Sequence, residues 1–409
     1  MQFRPYDHER DRDAVQRIWR EIGWLEEGQE EGMDLFLSAG RVSVAEIDGS
    51  AECLVATIPG TIRYLEEDLP LSIVGGVTTS RIARKQRLAG RLTAHAIAAD
   101  AADGALVSGL GMFEQGYYNK LGFGTGSYEN WIAFDPSDLT VSAGFRVPRR
   151  ITKDDWAAVH ASRMARLRGH GSCNVIPPEL TQSEMMRDKK NFGLGYYDGP
   201  GGELTHFLWI NAKEINNGPY DVLCAVWQNG DQLLELMALL RSLGDQVYLI
   251  RMGEPPGIQF QDLLRTPLKR REVSKQSKLE CFSRSDAYWQ VRILDLTGCL
   301  ARTHLPCADL RFNLRLDDSI ESLLDANAPW RGTGGEYIVT LGPDSSAVRG
   351  EKLSLPTLKA SVNAFSRMWL GVRPATGLAI TDALSGPPEL LRDLDRALLL
   401  PQPHLGWDI

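Results

Sequence analysis

The fold of this chain is decided by residues 73–123, which read IVGGVTTSRIARKQRLAGRLTAHAIAADAADGALVSGLGMFEQGYYNKLGF. An apolar strand at Ile73–Val77 leads through three hydroxyl-bearing residues into a cationic loop. Apolar residues then recur every three to four positions from Leu88 to Ala102, which predicts a helix that ends at Gly104. A second short strand, Ala105–Val107, follows. The order is therefore strand, loop, helix, strand, and the cations of the loop and first helical turn are Arg81, Arg84, Lys85, Arg87 and Arg91.

The cationic loop precedes the predicted helix directly. Free backbone N–H groups and the positive end of the helix dipole favour anions at such a point, so the loop suits a pyrophosphate. It lacks the G-x-x-x-x-G-K-[ST] pattern of nucleoside triphosphatases and the G-x-G-x-x-G pattern of dinucleotide folds, which excludes both of those sites. A solvated cationic helix face is the alternative interpretation.

The segment Arg84-Lys85-Gln86-Arg87-Leu88-Ala89 resembles the acetyl-CoA loop of the GNAT acetyltransferases, Arg/Gln-x-x-Gly-x-Gly/Ala after a strand. Arg84 and Ala89 fit this pattern, whereas Arg87 stands where the first glycine is expected, and its side chain would crowd the pyrophosphate. The resemblance implies that acetyl-CoA enters where two neighbouring strands splay, leaving backbone groups near Val77–Thr79 free for the pantetheine and the thioester oxygen. The candidate cofactor-binding residues are Val77, Thr78, Thr79, Arg84, Lys85, Gln86, Arg87, Leu88 and Ala89.

The segment Glu114–Gly124, EQGYYNKLGFG, resembles the E-G-G-x-Y-x-R-F-G-Y-G segment of the enhanced-intracellular-survival (Eis) acetyltransferases. That resemblance implies that Tyr118 is the general acid, with Tyr117 as the alternative if the register differs by one residue. A phenol of pKa about 10 holds a proton at neutral pH and can give it to a departing thiolate. A tyrosine packed in a turn is the competing interpretation.

The composition is that of a globular protein of more than one domain, with 409 residues and a net charge of −8. The acidic balance argues against a nucleic-acid partner. The polar N-terminus carries no signal-peptide pattern, and no apolar run is long enough for a membrane span. The six cysteines form no C-x-x-C pair, so we expect a cytoplasmic protein without a metal site or disulfide framework.

Three domains are expected, in an α+β (α/β) arrangement. Residues 1–145 resemble a GNAT domain with a CoA loop, built from a helix at Asp11–Ile22, strands that include a hairpin around Asp48-Gly49, and the segment described above. Residues 146–285 repeat the strand–helix–strand order at 220–250, but with an acid and no cation at the helix start, so we expect a second GNAT-like domain that lacks a CoA loop. Residues 286–409 resemble the sterol-carrier-type domain that closes Eis-type chains, and begin with a strand at Tyr288–Leu296. A further helix is expected at Pro356–Leu370.

An acidic segment follows the first helix. It is a solvated helix face or, as the Eis resemblance implies, the rim of a pocket for a cationic acceptor. We take Trp24, Glu26 and Glu30 as candidate acceptor-binding residues. Asp408, near the chain end, joins them.

In the Eis-type family the terminal carboxylate acts as the general base, and the resemblance assigns that role here to the α-carboxylate of Ile409. An amine of pKa about 10 must lose a proton before it attacks. Disorder is the usual state of a chain end, but Leu405-Gly406-Trp407-Asp408-Ile409 is apolar and carries a tryptophan.

The resemblance implies an acetyl-CoA-dependent N-acetyltransferase that acts on a primary amine, such as an aminoglycoside, a polyamine or a lysine-like amine, by direct attack in a ternary complex. It also implies a homo-oligomer, often a hexamer. The acidic balance and the lack of a long apolar run predict no nucleic-acid or membrane partner. The alternative is a non-catalytic protein on the same scaffold that holds a CoA ester or a lipid, an interpretation favoured by Arg87. The sequence does not distinguish the possible acceptors.

Overall fold

The computed structural model describes residues 2–407. Within that range the chain forms two compact units, the first comprising residues 2–127, 169–177 and 287–407 and the second Tyr128–Arg168 and Pro178–Asp286. The second unit is therefore inserted into the first along the sequence.

The strands of the described residues are numbered in chain order. They are β1 Gln2–Pro5, β2 Arg41–Ile47, β3 Ser50–Tyr64, β4 Glu67–Thr79, β5 Val107–Gly111, β6 Gly124–Thr125, β7 Glu129–Phe134, β8 Arg149–Ile151, β9 Cys173–Val175, β10 Asn191–Tyr196, β11 His206–Ala212, β12 Tyr220–Val226, β13 Ile250–Gly253, β14 Phe282–Asp286, β15 Trp289–Ile293, β16 Leu310–Asp317, β17 Gly335–Leu341, β18 Ser346–Arg349, β19 Thr357–Ser361 and β20 Leu384–Ser385.

The α-helices are numbered in the same way. They are α1 His8–Ile22, α2 Glu30–Ser38, α3 Leu88–Ala102, α4 Trp156–Met164, α5 Pro178–Met186, α6 Gly230–Ser242, α7 Pro267–Ser274, α8 Leu296–Leu300, α9 Val362–Trp369, α10 Ala375–Thr381 and α11 Pro388–Ala397. None of the helices in residues 2–407 is long and apolar enough to cross a membrane.

The first unit contains a mixed sheet in the order β1-β2-β3-β4-β5-β15-β6, with β9 added beside β3. Strands β2, β3 and β4 form the antiparallel meander expected from the turn residues, and β4 runs parallel to β5 with α3 as the crossover. Alternate residues of β3 face opposite sides. Cys53 and Val55 pack in the cluster that contains α3, whereas Leu54 and Ala56 pack with α1.

The helix α1 has clear local causes. Asp7 caps its start by accepting the N–H of Arg10 at 3.1 Å, and Gly23 ends it in the left-handed conformation at φ 79°. Its apolar face, Val15, Ile18 and Trp19, is buried. The helix expected at Asp11–Ile22 is confirmed.

The second unit contains a seven-stranded sheet in the order β14-β7-β13-β12-β11-β10-β8. Strands β12 and β13 are parallel and joined by α6, which confirms the second strand–helix–strand pattern. Asn229 caps α6, and Asp231 lies in its first turn, so the helix start carries an acid.

The predicted boundaries at residues 145 and 285 differ from these units. Strand β15 is the strand expected to open the last domain, but it pairs antiparallel with β5 and β6 and so completes the first sheet. Residues 128–134 already belong to the second unit, because β7 pairs with β13 and β14 there. Residues 310–385 add a five-stranded mixed sheet, β18-β17-β16-β19-β20, to the first unit.

Candidate active site

The strands β4 and β5 separate part of the way along β4. Their parallel pairing runs from Leu71 opposite Val107 to Val74 opposite Leu110, and no pairing between them follows in the described residues. Strand β4 continues to Thr79 on its pairing with β3 alone. The edge of β4 that faced β5 is therefore unpaired from Gly75 onward, and its backbone groups need other partners.

A bulge coincides with this separation. On β3, Leu54 pairs with Thr78 and Ala56 pairs with Gly75, so β4 carries one extra residue between them. Gly76 lies in that extra stretch with φ 61°, and a Cβ there would meet the ring of Phe36 at 3.0 Å. The bulge therefore depends on glycine, and it puts the predicted pantetheine-binding residues Val77, Thr78 and Thr79 on the separated part of β4.

The loop between β4 and α3 has an unusual backbone. Lys85 and Arg87 both have positive φ, 64° and 61°, a conformation that favours glycine. Arg87 stands at the N-cap of α3 and is followed by helical residues. The GNAT pattern places glycine at this position, so the chain keeps a glycine-like backbone there while carrying arginine.

The start of α3 offers unused donors. Within residues 2–407 the backbone N–H groups of Leu88, Ala89 and Gly90 have no backbone acceptor, and the first helical bond runs from Arg91 N to Arg87 O at 3.2 Å. A left-handed residue followed by helical residues points successive N–H groups into one concavity, which binds anions.

The side chains around this loop are exposed and cationic. Arg84, Lys85 and Arg87 are exposed and form no ion pair with any residue in the range 2–407. Gln86 reaches back only to the Ile82 carbonyl, at 3.5 Å. The predicted CoA loop thus combines free N–H groups with uncompensated positive charge, a combination that suits a pyrophosphate.

Tyr118 is buried in a hydrophobic cluster that also contains Val74 and Leu110, the last paired residues of β4 and β5. It begins a short 3₁₀ turn, Tyr118–Leu121. The ring packs against Tyr117, with centroids 4.8 Å apart. Burial, with a smaller contribution from Tyr117, raises the pKa of the Tyr118 hydroxyl above its ordinary value, so the group keeps its proton at neutral pH.

Tyr117 has a different environment. Its side chain is 37% exposed, and burial together with the nearby Cys53 sulfur raises the pKa of its hydroxyl. Burial raises the pKa of the Cys53 thiol to about 11, so that thiol stays protonated and is a poor nucleophile. Both tyrosines are protonated donors, and only Tyr118 is anchored in the core.

The predicted acceptor-binding residues differ in their environments. Trp24 is half exposed and packs edge-on against Trp19 with centroids 6.0 Å apart. Glu30 is paired with Arg20 at 2.7 Å, and hydrogen bonds from its own backbone N–H and from Arg20 lower the pKa of its carboxyl. Glu26 is exposed, and its carboxylate has no ion pair within residues 2–407. Of the two glutamates, only Glu26 is free to attract a cation.

After α11 the described residues, up to Trp407, form neither helix nor strand. Leu405 and Trp407 are buried. The Leu405 carbonyl accepts from Cys173 N at 2.8 Å, and the His404 carbonyl accepts from Ser172 Oγ at 3.1 Å. Asp408 and Ile409, the predicted acceptor contact and general base, lie outside the described residues.

Two further contacts to the site were not expected from the sequence. Glu21 Oε2 accepts the backbone N–H of Arg81 at 2.7 Å and so links the end of α1 to the start of the predicted CoA loop. Phe36 packs against the bulge through Gly76. No sequence pattern pairs these residues, because both contacts depend on the tertiary fold. Residues 2–407 contain no group of three or more His, Cys, Asp or Glu side chains arranged to hold a metal ion.

Comparison with known proteins agrees with this geometry. Residues 5–126 match the family model described as an acetyltransferase (GNAT) domain. Comparison with curated protein sequences gave no significant match.

Solved structures match over the whole chain. A protein of unknown function from Enterococcus faecalis, described as a probable N-acyltransferase, aligns with a TM-score of 0.80 at 16% identity over 100% of this chain and 99% of that one. A GCN5-related N-acetyltransferase from Anabaena variabilis aligns with a TM-score of 0.79 at 13% identity, and Eis1 from Mycobacterium abscessus with 0.76 at 15%, each over 100% of both chains. Residues 5–126 therefore match a GNAT acetyltransferase domain, and the whole chain has a fold found in structures named as N-acetyltransferases.

Proposed function

We propose that the protein is an acetyl-CoA-dependent N-acetyltransferase of the Eis-like group, acting on a primary amine such as an aminoglycoside, a polyamine or a lysine-like amine. One observation carries the proposal. Strands β4 and β5 separate beside a helix start with free N–H groups and unpaired cations, and a buried protonated tyrosine packs in the cluster where they separate.

The chemistry follows from these parts. Acetyl-CoA would lie with its pyrophosphate on the N–H groups before α3 and its pantetheine along the unpaired edge at Val77–Thr79. The amine nitrogen attacks the acetyl carbonyl carbon in a ternary complex and the carbon–sulfur bond breaks. Tyr118 gives its proton to the departing sulfur.

The amine must first lose a proton. The Ile409 carboxylate is the proposed base, with Asp408 beside it. The burial of Leu405 and Trp407 supports this proposal, because it holds the chain in the first unit up to two residues before Ile409. Trp24 and Glu26 are proposed to line the acceptor pocket, with Glu30 behind them in its ion pair.

Further features of the Eis-like group are part of the proposal. The inserted second unit carries a GNAT-like strand–helix–strand element without a cationic loop. The five-stranded mixed sheet near the chain end is compatible with a sterol-carrier-type domain. Six cysteines, all present as thiols, suit a cytoplasmic enzyme. We also propose a homo-oligomer, with a hexamer as the expected state.

The test is CoA-thiol release from acetyl-CoA across a panel of cationic amines, with Tyr118→Phe and Tyr117→Phe as a matched pair. Tyr118→Phe should lower kcat by roughly 10²-fold or more while the thermal shift with acetyl-CoA persists. Tyr117→Phe should change kcat by less than about threefold. A large loss of kcat in Tyr117→Phe and a small one in Tyr118→Phe would show that Tyr117 is the general acid.

The rival function is a non-catalytic protein that holds a CoA ester or a lipid. Arg87 at the glycine position favours it. The rival predicts that acetyl-CoA raises the melting temperature of the wild type while no amine in the panel gives turnover.

A further inference from the structure

The turn that carries Tyr118 is held by side chains that are distant from it in sequence. Three of its carbonyls accept hydrogen bonds from side chains of the C-terminal third, which belongs to the same compact unit. Asn363 Nδ2, in the first turn of α9, donates to Asn119 O at 2.9 Å and to Phe123 O, just beyond the turn, at 2.7 Å. Ser319 Oγ donates to Lys120 O at 2.9 Å, and Arg292 Nη1 donates to Leu121 O.

Arg292 is itself fixed. Its side chain is fully buried in β15 and pairs with the buried carboxylate of Asp318 at 2.7 Å. The Asp318 carboxylate also accepts the N–H of Thr333 at 2.9 Å, so neither partner is free to move alone. Gln290, two residues before Arg292 on the same face of β15, donates to the Asn119 side chain at 2.8 Å.

Two glycines allow this close approach. Gly122 has φ 82°, and a Cβ there would lie 2.7 Å from Arg292 Nη1 and 2.6 Å from a methyl carbon of Val362. A Cβ on Gly124 would lie 2.5 Å from the Asn363 carbonyl oxygen. The glycines that end the Tyr118 segment therefore make room for α9 and β15.

We propose that Asn363, Ser319 and Arg292 are positioning residues, which fix the orientation of the Tyr118 hydroxyl by holding the backbone carbonyls of its turn. The expected loss of activity rests on the proposed function, because a displaced Tyr118 lowers the rate only if Tyr118 is the general acid. An error of about 1 Å in such a group costs up to roughly 10²-fold in rate.

The experiment compares Asn363→Ala with Asn313→Ala. Asn313 is a stringent control because its Nδ2 also donates to two backbone carbonyls of the same unit, Lys352 O at 2.9 Å and Leu355 O at 3.1 Å. Its Oδ1 accepts the Lys352 N–H at 2.8 Å as well, so Asn313→Ala removes one more hydrogen bond than Asn363→Ala, in a different part of the unit. Hydrogen exchange in peptides covering residues 112–126 should become roughly tenfold faster in Asn363→Ala and stay unchanged in Asn313→Ala. Unchanged exchange in Asn363→Ala would overturn the proposal.

Kinetics then separate positioning from general structural damage. Asn363→Ala should lower kcat about tenfold with KM for acetyl-CoA within about twofold, and should lower it less than about twofold in a Tyr118→Phe background. Equal losses in both backgrounds would show that Asn363 does not act through Tyr118. If the wild type turns over no amine, the proposed function fails, and the exchange comparison still decides whether the C-terminal third holds the turn.

A second variant guards against loss of folding. Ser319 is exposed, so Ser319→Ala preserves packing and removes one hydrogen bond from the turn. It should speed exchange in the same peptides by about threefold, and exchange equal to that of the wild type would count against the proposal.

Discussion

Replacing Arg87 by glycine and, separately, by alanine distinguishes two effects of this residue in the predicted CoA loop, the strain of its backbone conformation and the charge of its side chain. Arg87 is exposed and has φ 61° and ψ 19° at the N-cap of α3. A residue with a Cβ costs roughly 1–2 kcal/mol in this left-handed conformation, whereas glycine adopts it freely. The greater freedom of glycine in the unfolded chain offsets about 0.4–1 kcal/mol of that gain. Arg87→Gly should therefore be more stable than Arg87→Ala by about 0.5–1 kcal/mol.

Arg91 supplies the control, because it lies one turn further along in regular helix. There glycine is less stable than alanine by about 0.8–1 kcal/mol. Thermal unfolding should place Arg87→Gly about 1–3 °C above Arg87→Ala, and Arg91→Gly about 2–4 °C below Arg91→Ala. Both variants at a site lack the arginine side chain, so the contribution of that side chain to stability cancels in the difference between them.

The same pair tests whether the Arg87 side chain blocks the cofactor. One positive charge about 6 Å from a phosphate is worth about 0.7 kcal/mol in water, so both variants should bind acetyl-CoA about threefold more weakly by calorimetry. Tighter binding by both would mean that the side chain crowds the pyrophosphate. The conformational argument would be refuted if Arg87→Gly melted below Arg87→Ala.

Three further predictions concern pH, the acceptor and the chain end. Burial lowers the pKa of His170 below the ordinary 6.5, so the unfolded chain takes up the proton first and stability falls as pH drops below 6.5. The melting temperature should therefore fall between pH 8 and pH 5, and His170→Gln should make this fall smaller. The remaining fall is expected from His206, because burial lowers its pKa as well. Glu26→Gln should raise KM for cationic amines about threefold, and Glu30→Gln, which removes an already paired charge, by less than about twofold; equal effects would contradict the acceptor assignment. Residues appended after Ile409 should lower kcat roughly tenfold or more without changing the thermal shift with acetyl-CoA, and full activity would exclude the terminal carboxylate as the base.

Local patterns predicted the elements that local chemistry determines. The capped helix α1, the meander around Asp48-Gly49 and the strand–loop–helix–strand at β4 to β5 all follow from periodicity and turn residues that lie within a few positions of each other. A loop does lie between β4 and α3 at the predicted position, although residue type does not indicate the left-handed conformation of Arg87 there.

Elements that depend on distant partners were not predicted. The spacing of Leu358, Val362, Phe365 and Trp369 favoured one helix over Pro356–Leu370, but 357–361 is strand β19, paired with β16, and α9 begins only after Ser361. Ser361 accepts the N–H of Ala364 at 3.2 Å, so an N-cap signal was present. The membership of β15 in the first sheet has no local signal, because an alternating strand does not specify its neighbours.

The position of β15 has a consequence for protein synthesis. Val107–Gly111 leaves the ribosome long before Trp289–Ile293, its partner on one side, so the growing chain carries an open sheet edge until the inserted second unit has been made. The side chains that hold the Tyr118 turn arrive in the same late segment or after it. A prematurely terminated chain would therefore contain the predicted CoA loop and yet lack the side chains that hold the Tyr118 turn, so the proposed site would be complete only after the C-terminal third has been made.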